Sequence, residues 1–134
     1  MKKKHKIFLS ILVVIIIGAY FGIKLYIKSI ESNLDKLKDL KISNVDISEA
    51  ADGTYAGSYK AFPIIAEVKV TIKNHKITGI ELVKHRTGQG APAEIITSKV
   101  VEAQTLEVDA ISGATYSSKV ILKAIENALN NAIK

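Results

Sequence analysis

The chain has 134 residues, 48% of them apolar, with two prolines, no cysteine and a formal charge of +6. That length holds one small domain beside an anchor, and the lack of cysteine excludes a disulfide framework, a thiolate metal site and a cysteine-borne lipid anchor. Six of the 19 basic residues lie in positions 1–28, where no acid occurs, which leaves 13 basic against 13 acidic residues in 29–134; without a basic surface outside the first segment, nucleic acid is not an expected partner.

The chain opens MKKKHK and then carries no charge from Ile7 to Ile23. As a helix this run measures about 25 Å, slightly short of a hydrocarbon core, and Lys6, Lys24 and Lys28 can extend their ammonium groups to the interfaces. Tyr20 and Tyr26 suit the far interface. A buried globular helix would not be apolar on every side in so small a protein. A cleaved signal peptide shares the basic start, but LYIKSIESN after the run offers no convincing small-x-small site. The expectation is an uncleaved single-pass anchor over residues 1–28. Its start is cytoplasmic, since Lys2, Lys3, Lys4, Lys6 and the amino terminus outweigh Lys24 and Lys28.

Residues 29–44 read as a juxtamembrane stalk or short helix. Leu34, Leu37 and Leu40 form a thin stripe that either packs on its own domain, lies against lipid or is simply solvated. The globular domain is expected over 45–134. Strand patterns follow at 54–59, 64–72 and 76–83, and in the second Ala66, Val68, Val70 and Ile72 alternate with Glu67, Lys69, Thr71 and Lys73. Asn74-His75 reads as a tight hairpin. After the loop KHRTGQGA, Pro92 suits the first turn of a helix to Ala103, with Ile95, Ile96, Val100 and Ala103 on its buried face. A last helix has Ile121, Ala124, Ile125, Ala128, Leu129 and Ala132 on one stripe. The predicted fold class is α+β, a small antiparallel sheet with two helices packed on it, preceded by one transmembrane helix.

Before that last helix stands DAISGATYSS, residues 109–118. Thr115, Ser117 and Ser118 compete for the helix cap, and Gly113 permits a tight turn or close approach by another body. One reading is a turn plus N-cap and nothing more. The other is a phosphate-sized anion site built from open helix amides and small residues. In the second reading Asp109 stands six residues before Thr115, positioned to accept a hydrogen bond, orient a hydroxyl or hold a metal during a transfer. The loop His85 to Ala91 would come from the opposite end of the sheet to cover a flat ligand. Tyr55, Tyr59 and Phe62 either stack on a ring or pack in the core and at the sheet edge.

Residues 52–132 resemble the FMN-binding domain family. This domain is also found in the C subunit of the sodium-translocating NADH:quinone oxidoreductase and in the G subunit of its proton- or sodium-coupled relative. The resemblance rests on DGTYAGSY, the hairpin, HRTGQGAPAEIITSKVVEAQ and above all DAISGATYSSKVILKAIENAL. It implies FMN esterified through its phosphate to Thr115 by a separate flavin transferase that works outside the cytoplasm with FAD as donor. Asp109, Ser112, Gly113, Ala114 and Ser117 would form the recognised motif, and His85, Gly88, Gly90 and Ala91 would lie near the isoalloxazine. No catalytic acid or base and no metal is implied. The chain lacks the long insertion that separates anchor from flavin domain in the respiratory subunits, which favours a free-standing carrier. The function so implied is that of an anchored, extracytoplasmic electron-transfer flavoprotein, a carrier rather than a stand-alone catalyst. It would take electrons from a membrane donor and pass them to an extracytoplasmic reductase or other acceptor. The alternatives are an FMN-binding redox module without a covalent bond, and a tethered interaction or sensory domain without flavin.

Overall fold

Alternation in IIAEVKVTI places the core. In the computed structural model, which describes residues 2–86 and 90–134, Ile64, Ala66, Val68, Val70 and Ile72 are buried and Lys69 and Lys73 reach solvent. They belong to strand β2 (Ile64–Lys73), which runs antiparallel between β1 (Gly53–Ala61) and β3 (Lys76–Arg86). On the opposite face Thr54 and Thr71 share a cross-strand hydrogen bond of 3.1 Å, a pairing that helps hold register. The β2–β3 hairpin has Asn74 at φ 50° and His75 at φ 60°. Two left-handed residues in a two-residue loop make a type I′ turn, whose twist matches that of the strands. Asp52 Oδ1 accepts the Asn74 N–H at 2.8 Å and ties this turn to the start of β1.

Strand β3 departs from plain alternation. Its register against β2 shifts twice, so that Leu82 stands opposite Val68 but Lys84 stands opposite Glu67. Val83 is the extra residue, and it is 49% exposed. A bulge of one residue reverses which side chains face inward. His85 therefore lands opposite Ala66, on the core face, where unbroken alternation from Ile80 and Leu82 would have put Lys84.

The inner face of the sheet is covered by helices. Helix α3 (Thr115–Ala132) buries Val120, Ile121, Leu122, Ala124, Ile125, Ala128 and Leu129, the expected stripe with Val120 and Leu122 added and Ala132 only half-buried. It approaches β1 so closely that a Cβ at Gly57 would collide with the Ala124 carbonyl, the Ala128 amide and, at 2.7 Å, the Ala128 methyl. Asn127 and Asn131 donate to the carbonyls of Ser58 and Ala56 at 2.9 and 3.0 Å. The expected helix from Pro92 is instead a 3-10 turn (Ala91–Ile95) leading into α2 (Ile96–Ala103). With three residues per turn, Ala93 rather than Ile95 shares a face with Ile96, so Ala93, Ile96 and Val100 are buried and Ile95 is 57% exposed. Helix α2 ends at Gln104, in the left-handed conformation at φ 55°. The Gln104 side chain accepts the Ile77 N–H at 2.9 Å and donates to the Ile77 carbonyl at 2.7 Å.

Helix α1 (Lys2–Lys38) crosses between two compact units, Met1–Asn33 and Leu34–Lys134. In the first unit the side chains from Ile7 to Ile23 are exposed, and the helix is long and apolar enough to span a membrane. The second unit includes the last turn of α1. Leu37 is buried, with Leu34 and Leu40 packed beside it, so the leucine stripe belongs to the domain's own core rather than to a solvated stalk. Helix α3 fastens this segment: the Lys119 ammonium donates to the carbonyls of Leu37 and Lys38 at 2.9 and 2.6 Å. Buried Glu126 accepts the Ser43 N–H at 3.2 Å and pairs with Lys123 at 2.8 Å. Farther on, Ser48 N–H donates to Asp46 at 2.9 Å and holds that exposed carboxyl below its ordinary value.

Candidate functional site

The site is built at the end of the sheet where β1 turns into β2 and β3 stops. Asn131 reaches Ala56 and Asn127 reaches Ser58, so α3 runs antiparallel to β1 and its start lies toward that turn. Ala114 occupies the cap position, and no side chain caps the helix. Each hydroxyl expected to compete for that place is otherwise disposed. Ser118 Oγ is buried, accepts the Ile111 N–H at 2.9 Å and donates to the Ala114 carbonyl at 2.8 Å. Ser117 Oγ, also buried, lies 3.1 Å from His85 Nε2. Thr115 is exposed.

The turn before the helix is fixed by the Ala114 N–H donating to the Ile111 carbonyl at 2.9 Å and by Gly113 at φ 77°, where a side chain would be strained. Nothing lies within 4 Å of where a Cβ would stand on Gly113, and Ser112 is exposed. The first bond of the helix runs from the Ser118 N–H to the Ala114 carbonyl at 2.9 Å. The amides of Thr115 and Tyr116 precede that bond and have no acceptor within the helix. These features fit a phosphate group held at a helix start beside an accessible hydroxyl.

His85 stands at the same end of the sheet as Thr115, not at the opposite one. Its side chain is 2% exposed, and its second ring nitrogen, Nδ1, lies 3.1 Å from Oε1 of Glu94, whose side chain is 52% exposed. Glu94 belongs to the 3-10 turn, and sequence reasoning missed it; the signal available was a carboxylate just after a proline that starts a helical turn. A carboxylate has no proton to give, so Nδ1 carries the hydrogen, and in the neutral ring Nε2 accepts from Ser117. The three residues thus form one hydrogen-bonded chain from solvent to the underside of α3.

The remaining expected residues fall in two places. Gly90 is buried and accepts the Ala93 N–H at 2.9 Å, Ala91 is exposed beside it, and Gly88 lies outside the described residues. Asp109 makes no hydrogen bond with Thr115. It is exposed and lines an open depression of about 500 Å³ with Lys99, Glu102 and Glu107 on the α2 side. Among the aromatics, Tyr55 and Tyr59 pack against the core, and Tyr55 donates to the Ala51 carbonyl at 2.9 Å. Phe62, on the turn between β1 and β2, is 49% exposed.

A three-stranded antiparallel sheet under two helices, with an uncapped helix start beside it, defines the class as a small α+β domain. Residues 64–130, half of the chain, match the model of the FMN-binding domain, and the chain belongs to that family. Among its relatives is a protein of Vibrio harveyi named NADH:acrylate oxidoreductase, 40% identical over 68 residues, which are 48% of this chain and 7% of that protein. Another is an uncharacterized protein of Treponema pallidum (strain Nichols), 29% identical over 85 residues, 61% of this chain and 24% of the relative. The chain therefore spans a small fraction of the length of either relative.

Proposed function

We propose that this chain is a membrane-anchored electron-transfer flavoprotein that carries FMN in a phosphoester bond to Thr115. The observation that carries the reading is the selection among hydroxyls. Thr115 is exposed at an uncapped helix start, whereas Ser117 and Ser118 are buried and engaged. Membership of the FMN-binding family supports the cofactor, and the relative named as an NADH:acrylate oxidoreductase supports a redox setting. When bound, FMN supplies reversible one- and two-electron transfer at its ring. The chain's residues hold and orient it: amides at the start of α3 face the phosphodiester charge, and the aligned peptide dipoles favour that charge. A covalent bond prevents loss of the cofactor to the medium.

The apolar run of α1 serves as the anchor, with the basic start cytoplasmic and the flavin domain extracytoplasmic. Asp109 and the run Ser112 to Ala114 are read by a flavin transferase that uses FAD. Electrons arrive from a membrane donor and leave to an extracytoplasmic acceptor, and this chain acts as carrier rather than catalyst. Intact mass of the chain from a host with the transferase tests the reading. One flavin increment is expected on the peptide containing Thr115, retained after denaturation and absent in Thr115→Ala. Colour released by acid precipitation means FMN bound without the ester, and a colourless chain overturns the reading.

A further inference from the structure

Helix α3 begins without a side-chain cap, yet its first turn is held. Ser117, two residues after Thr115, is joined at 3.1 Å to a histidine 2% exposed, and that histidine is joined at 3.1 Å to Glu94. Three elements meet in this chain: the end of β3, the 3-10 turn and the start of α3. It exists only because the bulge at Val83 turns His85 onto the core face. Ser118 fixes the preceding turn through Ile111 and Ala114, while His85 reaches the buried side of the helix's own first turn, two residues after the exposed threonine.

We propose that His85 is a positioning residue for covalent loading. By holding Ser117, with its own ring held by Glu94, it fixes the direction in which the Thr115 hydroxyl and the first-turn amides face the incoming nucleotide. The inference rests on the reading of Thr115 as the attachment residue. In that transfer a bond forms between Thr115 Oγ and the phosphorus of the FMN half of FAD, and the bond from that phosphorus to the bridging oxygen breaks. AMP leaves with the bridging oxygen, and the hydroxyl proton passes to a base of the transferase or to water. No electrons are exchanged. His85 touches none of the reacting atoms; it acts through Ser117. Correct placement of an attacking hydroxyl is worth roughly tenfold to a hundredfold in rate, since displacement by about 1 Å costs up to that much.

The full chain, purified unloaded in detergent, is incubated with flavin transferase and FAD, and the flavin increment is followed by intact mass. Melting of each unloaded variant is measured alongside. His85→Ala is expected to load roughly tenfold to a hundredfold more slowly than wild type. His85→Gln, whose amide oxygen reaches the position of Nε2 and accepts from Ser117, is expected to recover most of the rate. His85→Asn, which reaches only the position of Nδ1 and Glu94, is expected to remain slow. Ser117→Ala is expected to match His85→Ala, with the double variant no slower than either, because the two act as one unit. Loading of His85→Ala at the wild-type rate overturns the inference while leaving Thr115 as attachment residue. So do rates of the Gln and Asn variants that fall only in step with melting temperature. A wild-type chain that gains no flavin, under conditions where a known substrate of the transferase is loaded, overturns the covalent reading and this inference with it.

Discussion

His75 occupies a left-handed position, φ 60°, in a two-residue turn, a conformation glycine adopts without steric cost. A side chain there brings Cβ close to the following carbonyl, a cost of roughly 1 kcal/mol offset in part by the greater freedom glycine has when unfolded. His75→Gly creates Asn-Gly, the favoured pair for a type I′ hairpin. The expected outcome is a gain of about 0.5 kcal/mol in stability, read by urea denaturation of the unloaded chain. The same scale governs the hydroxyls of TYSS. Sequence alone makes Thr115, Ser117 and Ser118 equal candidates for a cap, because each has a hydroxyl and each lies near a helix start. Which one stays available depends on folded partners, Ile111 in the preceding turn for Ser118 and the distant His85 for Ser117, and helix-capping propensity does not carry that information.

Among the elements, the contact of α3 with β1 has the least room. A methyl at Gly57 would meet the backbone of the helix at Ala124 and Ala128, where no flexible side-chain end can yield. Gly57→Ala must therefore push the helix off the strand, and the expected cost is about 3 kcal/mol, measured as a lower midpoint of thermal or urea unfolding with the hairpin intact. Nothing within TYAGSY signals that its glycine is required; the helix that demands it follows 67 residues later in the chain. The strand β2 was legible because its period of two is unbroken from Ala66 to Lys73, AEVKVTIK. Strand β3 was legible only as far as Leu82. Beyond it the bulge at Val83 inverts the alternation, so plain periodicity does not put His85 on the inner face where the fold buries its side chain. The 3-10 turn is a smaller instance of the same limit. A helical period of 3.6 selects Ile95 for the core, and the tighter winding after Pro92 selects Ala93.

At the scale of the whole molecule the distribution of charge and apolar residues was the plainest text. The apolar run, the basic start and a neutral remainder are all readable without a structure. The segment between Leu34 and Ala50 was legible only in its leucine stripe, because much of its polar attachment uses carbonyls. Lys119 and Lys123 donate to Leu37, Lys38 and Lys41, and backbone acceptors leave no trace in sequence.

One attachment of that kind has a wider effect. A strand at the rim of a sheet offers its peptide groups to any passing chain, a second copy of the same protein included. The helix α3 already occupies the rim of β1 through Asn127 and Asn131. Replacing both with alanine frees the carbonyls of Ser58 and Ala56, and the expected outcome is self-association that rises with concentration in sedimentation experiments, where the parent chain shows none through this edge. Two amide side chains thus act as a fence along this edge of the sheet, holding it shut against a second copy of the chain.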